Sequence, residues 1–145
     1  MSGPGGDQEL AREVLHRLIG VVQIMKRHVS AVAMEFDLTL SQLDALKNLG
    51  EPCSQRQLAQ SLHFDASNVT DIVDRLEERG LVSRTIDPSD RRVRRLVVTA
   101  EGEALRRKLF ERALDEAPIQ SLTTTELAQL RDLLAKIAPA DELPV

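Results

Sequence analysis

Aromatic side chains are nearly missing from this chain of 145 residues, which has three Phe and neither Trp nor Tyr. An aliphatic core is therefore expected, and a site that works by aromatic stacking is not. Cysteine occurs once, as Cys53, which excludes an intrachain disulfide framework and leaves a residue read first as a small apolar filler. No apolar run approaches the roughly 18 residues of a membrane span, so no membrane partner is expected. Residues 1–8 are rich in Gly and lack the basic and apolar regions of a secretory signal, which points to a cytoplasmic location. A glycine-rich phosphate loop is lacking, and so is any Ser/His/Asp or Cys/His set with a supporting motif. The chain is not expected to be an enzyme or to carry a cofactor.

The length suits one domain with a modest core. With 42% hydrophobic and 29% charged residues, the composition is that of a globular protein. The formal net charge is −4, yet the charge is unevenly spread. Ser67–Thr99 is the one net-positive third, with seven basic and six acidic residues, and Arg84–Arg95 holds five Arg against two Asp. A local basic projection on an acidic body can still dock on phosphates.

Residues 1–8 and 139–145 read as flexible tails on a single domain, 9–138. Asp7–Phe36 reads as one long helix whose residues Leu15, Leu18, Val22, Met25, Val29, Val32 and Phe36 alternate in steps of three and four. Such a seam suits packing both on its own domain and on a second subunit. Thr39 or Ser41 is expected to cap a short helix ending near Gly50, and Ser54 a third helix to Leu62. A fourth helix is expected over 66–79, with Val69, Ile72, Val73 and Leu76 inward and Gly80 ending it. Two β-type segments follow, Leu81–Thr85 and Arg95–Thr99, joined by a polar tip containing Asp87, Pro88, Ser89 and Asp90. Two further helices are expected, Glu101–Ala117 and one from a Thr123/Glu126 capping box to Ala138. The fold class is thus mainly α with a small β-hairpin, or α+β.

Helix, helix, helix, strand, strand is the order of a winged helix-turn-helix lobe, here 37–99, flanked by helical dimerisation segments 9–36 and 101–138. The helix 66–79 would enter the major groove of DNA, where base edges are distinguishable, and present Ser67, Asn68, Thr70 and Asp71. Four of the five residues from Arg91 to Arg95 are Arg, and they sit at the hairpin tip of a wing, 85–96. A narrow minor groove attracts inserted Arg.

The run Asp90-Arg91-Arg92-Val93-Arg94-Arg95-Leu96-Val97-Val98-Thr99, followed by Ala100-Glu101-Gly102, resembles the wing signature of the MarR transcriptional regulators. Val73–Val82, Leu40–Leu43 and Gln57–Ala59 are similar to the family's recognition helix with first wing strand, second helix and third helix. The resemblance spans Glu9 to Ala138. It implies a homodimeric repressor of triangular outline that binds a pseudo-palindromic operator in double-stranded DNA, with Leu15, Leu18, Val22, Leu127, Leu130 and Leu134 at the dimer interface. It also implies wing contacts from Asp90, Arg91, Arg92 and Arg94, with Arg92 in the minor groove and Asp90 setting its geometry. Ser54, Gln55, Arg56 and Arg75 would face phosphates. Release by a small-molecule effector is implied too, with Arg12, His16, Arg17 and His28 as the polar groups of the first helix facing an anionic ligand. Redox control through Cys53, whose pKa Arg56 would lower, is a minor reading. No metal is expected: His16 and His28 lie roughly 18 Å apart along one helix, and no spacing rule supports a set of Cys53, His63 and Asp65. The rival reading is a helical dimerisation module that binds no DNA, which leaves the arginine hairpin without purpose.

Overall fold

Thr39, Ser54 and Thr123 each start a helix by the same device. The side chain of each accepts the backbone N–H three residues on, and Gln42, Gln57 or Glu126 at that position accepts the cap's own N–H. Each box satisfies two amides that a helix start leaves unpaired.

The computed structural model describes residues 4–139. In chain order the elements are α1 (Pro4–Glu35), α2 (Leu40–Asn48), β1 (Cys53–Ser54), α3 (Gln55–Leu62), α4 (Ala66–Glu78), β2 (Val82–Ile86), β3 (Arg94–Val98), α5 (Ala100–Asp115), a 3₁₀ turn (Pro118–Ser121) and α6 (Thr124–Ile137). The long first helix starts at Pro4, so residues 4–8 are helical where a tail was expected; Pro in a first turn loses no helical bond. The remainder of that tail, 1–3, and all of the C-terminal one except Pro139 lie outside the described residues. α5 ends at Asp115, two residues early, and Pro118 opens a 3₁₀ turn. No helix among the described residues is long and apolar enough to cross a membrane.

The hairpin became a three-stranded antiparallel sheet of order β1-β3-β2. Cys53 pairs with Leu96 and Ser54 with Arg95, while β2 runs against β3 from Val82↔Val98 to Ile86↔Arg94. A strand of two residues has no alternation to detect, so the segment before α3 reads as loop in the sequence. Gly80 ends α4 with φ 70°, and the bonds Gly80 N–H to Glu77 and Leu81 N–H to Leu76 form a Schellman closure.

The core is aliphatic, as expected. Leu46, Leu58, Val69, Val73, Leu76, Val82 and Leu96 are essentially inaccessible, whereas Phe36 and Phe64 only flank them. The apolar seam of α1 divides. Val32 lies in this core and Val29 and Phe36 pack against it, but Leu15 is 59% and Val22 64% exposed. α5 is held against the inner part of α1 by the fork of Arg112 on both oxygens of Glu35, at 2.9 and 3.0 Å. α6 buries no residue fully, and Leu133 and Ile137 are among its exposed apolar side chains.

Candidate nucleic-acid interface

α4 is anchored by its buried stripe of Val69, Val73 and Leu76, and the opposite face turns outward. Ser67, Asn68, Asp71 and Arg75 are exposed. Asn68, Asp71 and Arg75, together with Thr39, Ser41 and Gln42 of the α2 start, line a cleft of about 460 Å³. Thr70 is half-buried: its hydroxyl donates to the Ala66 carbonyl at 2.9 Å and accepts from Nε2 of Gln55 at 2.6 Å. Two of the residues singled out in the sequence therefore meet each other, and the bond ties the start of α3 to α4. Ser54 is engaged too, as cap of α3 and as partner of Arg95 in the sheet. Arg56 is exposed beside them.

The wing is the β2–β3 hairpin with its tip at residues 87–93. Of the five Arg between 84 and 95, two are committed inside the protein. Arg84 pairs with Asp74 at 2.6 Å and with Glu77, so it offsets carboxylates that α4 would otherwise carry toward an anionic partner. Arg95 pairs with Asp87. Arg91, Arg92 and Arg94 are exposed and form no ion pair among the described residues. Asp90 accepts the backbone N–H of Arg92 at 2.9 Å, an Asx-type turn that shapes the chain around that residue. Bonds from the hydroxyl and amide of Ser89, and then from Arg95, hold the Asp87 carboxyl far below the usual carboxylate range.

The polar groups of α1 are placed differently from expectation. Arg17 pairs with Glu13 at 2.8 Å on the exposed face. His28 donates from Nε2 to the Ala113 carbonyl at 2.8 Å, a tie between α1 and α5. A cavity of about 580 Å³ opens farther along, between α1, α2, α5 and the 3₁₀ turn, and none of Arg12, His16, Arg17 and His28 lines it. Its walls include Met25, Val29, Val32, Leu109 and Phe110, and its charged groups are Lys47, Arg106 and Arg107 with Glu103 and Glu111. The three cations were missed because nothing local marks a cation that folding brings beside an apolar hollow. Arg106 shares its charge with Glu103 at 3.0 Å.

Cys53 is half-buried in β1, and burial pushes its thiol pKa up, opposite to the lowering that Arg56 was expected to bring. Among the described residues no group of three His, Cys, Asp or Glu is arranged to hold a metal ion.

The sequence model of the MarR family matches residues 38–93, from the start of α2 through the wing tip. Among solved structures, CouR from Rhodococcus jostii RHA1, bound to p-coumaroyl-CoA, is 31% identical over 88% of this chain and 93% of its own, with a TM-score of 0.65. Apo wild-type MarR from E. coli is 28% identical over 86% and 97%, with a TM-score of 0.72. The transcriptional regulator Tm0710 from Thermotoga maritima is 29% identical over 87% and 92%, also at 0.72.

Proposed function

This chain belongs to the MarR family of winged helix-turn-helix transcription regulators, and from that footing we propose that it is a cytoplasmic homodimeric repressor that binds a pseudo-palindromic DNA operator and releases it on binding a small-molecule effector. The observation that carries the DNA contact is the pairing of surfaces: α4 exposes Ser67, Asn68 and Asp71, and the wing that Arg84 bonds to α4 carries Arg91, Arg92 and Arg94, which have no carboxylate partner among the described residues. Ser67, Asn68 and Asp71 read base edges in the major groove, with Thr70 at its margin. Arg92, shaped by Asp90, enters the minor groove, with Arg91 and Arg94 on its flanks. Arg56 and Arg75, with the first turn of α3 at Ser54 and Gln55, face the phosphates.

Leu15, Leu18 and Val22 of α1 meet Leu127, Leu130 and Leu134 of α6 across the dimer axis. Leu15, Val22 and Leu134 are exposed in a single chain and Leu18, Leu127 and Leu130 are half-buried, which supports the pairing. Two-fold symmetry sets half-sites roughly one helical turn apart.

The effector takes the cavity against α5. The lining is mostly apolar, and Lys47, Arg106 and Arg107 outnumber Glu103 and Glu111 by one charge, which suits an amphipathic organic anion. The p-coumaroyl-CoA held by CouR is of that class and is the first compound to try.

Selection of bound genomic fragments by the purified protein, followed by anisotropy titration of the recovered site over a salt series, tests the reading. Tight binding to a two-fold site that falls steeply with salt is expected. No binding to any duplex even at low salt would leave the helical dimerisation module as the reading.

A further inference from the structure

The wing's arginines divide into two groups. Arg91, Arg92 and Arg94 are exposed and pair with no carboxylate among the described residues, whereas Arg95 donates through Nε to Oδ2 of Asp87. Asp87 is only 6% exposed. Its other oxygen accepts the Ser89 amide at 2.7 Å and the Ser89 hydroxyl at 2.6 Å. From there the bonds continue around the tip. The Asp87 amide donates to the Val93 carbonyl at 2.9 Å, the Val93 amide to the Asp90 carbonyl at 3.0 Å, and the Arg92 amide to Oδ1 of Asp90 at 2.9 Å.

Two features make this more than a surface ion pair. Arg95 sits on the central strand, opposite Thr85 on one side and Ser54 on the other, so its stem starts from the most firmly held part of the sheet. A carboxylate removed from water is costly unless donors replace the lost hydration, and here Ser89 and Arg95 replace it together. Loss of Arg95 leaves Asp87 short of a partner and loosens the bonds that shape the tip.

Resting on the reading of the wing as a DNA contact, we propose that Arg95 and Asp87, with Ser89, form a lock that presents the three outward arginines to the minor groove, and that Arg95 itself contacts no phosphate. Arg95 and Asp87 are positioning residues. The tip is ordered when the protein folds, so its ordering is not charged against DNA binding.

The lock and a phosphate contact differ in salt dependence and in coupling. A fluorescein-labelled duplex carrying the site selected from random-sequence DNA is titrated over a salt series with Arg95→Met, Asp87→Asn, the double variant, Ser89→Ala and Arg92→Ala, at a temperature where melting curves show each folded. Arg95→Met and Asp87→Asn should each weaken binding about tenfold, the scale of one charged hydrogen bond. The double variant should fall no further, because each change disables the same device. The slope of log affinity against log salt should stay that of the parent in all three, whereas Arg92→Ala should reduce it by about 0.9. Ser89→Ala spares the ion pair and should weaken binding about threefold with an unchanged slope; it carries the test if Arg95→Met does not fold. A slope reduced in Arg95→Met as in Arg92→Ala would overturn the lock, and so would effects that multiply to about a hundredfold in the double variant. Weaker binding by Arg92→Ala with none by Arg95→Met overturns the lock alone. No effect of Arg92→Ala overturns the wing's role in DNA binding, and the lock with it.

Discussion

Gln55 donates to the hydroxyl of Thr70 at 2.6 Å, and this single bond joins the first residue of α3 to the second turn of α4. The Thr70 hydroxyl also donates to the Ala66 carbonyl, so its one proton is used before any DNA arrives. Asn68, two residues earlier and exposed, has its amide available. Thr70→Val should therefore weaken operator binding several-fold by freeing α4 to shift against α3, with the preferred sequence kept. Asn68→Ala should change the preference at one base pair by about 1–3 kcal/mol. Binding-site selection with each variant checks the division; a changed sequence for Thr70→Val and an unchanged one for Asn68→Ala would reverse the roles.

The exposed half of the α1 seam should hold two copies together. Val22→Arg and Leu15→Arg place a charge where an apolar contact is proposed, and burying an unpaired charge is prohibitive. Each variant should sediment at half the parent's mass while keeping its helical circular dichroism, because neither residue belongs to the chain's own core. A parent that sediments as a monomer would remove the dimer from the mechanism.

Gly102 is required by close approach. A Cβ there would overlap the Leu81 carbonyl oxygen and crowd Val98. At the same joint Thr99 caps α5 through the Gly102 amide at 3.1 Å and donates to the Gly80 carbonyl at 2.5 Å, so α5 starts directly against the end of α4. Gly102→Ala should destabilise the protein by about 1–3 kcal/mol, the cost of overpacking a well-filled site. Chemical denaturation measures it, and an unchanged midpoint would mean that the helix start yields freely.

Cys53 should be a poor nucleophile. Burial raises its pKa, so less thiolate is present near neutral pH than for a free cysteine. Its alkylation by N-ethylmaleimide should be slower than that of glutathione at pH 7, and its rate should still be climbing above pH 9. Peroxide treatment should leave DNA binding unchanged; loss of binding that a reductant restores would establish a thiol switch.

Asp87 sets an acid limit on the wing. Its carboxyl titrates lower in the folded chain than in the unfolded one, where the usual value is about 3.9. The unfolded chain therefore takes up the proton first as pH falls. The stabilisation is complete above pH 5, and it is lost progressively below about pH 4. Asp87→Asn should be less stable than the parent at pH 7, and the gap should narrow between pH 4 and pH 2. A gap that is constant with pH would mean that the charge of Asp87 is not what matters.

The helix starts at Thr39, Ser54 and Thr123, the stop at Gly80, and the inward stripe of α4 were legible because each depends on contacts within one helical turn. The basic tip was legible as well, since four Arg within five residues need no fold to be counted. β1 was not, because two residues become a strand only when β3 lies beside them.

Side-chain partners were beyond local reading. The distinction between Arg94, left outward, and Arg95, turned onto Asp87, follows from the alternation of side chains along β3, and both read simply as basic in sequence. His28 was read as a polar group open to a ligand, yet the crossing of α5 over α1 gives it the Ala113 carbonyl. Lys47 lies far in the chain from Arg106 and Arg107, and the three share a cavity wall only once α2 and α5 have packed.

By itself, then, the sequence determined the six helices and the hairpin, their order and the chemistry of the exposed tip, because propensity, capping and periodicity act over a few residues. Tertiary structure decided which charges remain for a partner and where a small molecule has room, because ion pairing and cavity walls are made between segments that only the fold brings into contact.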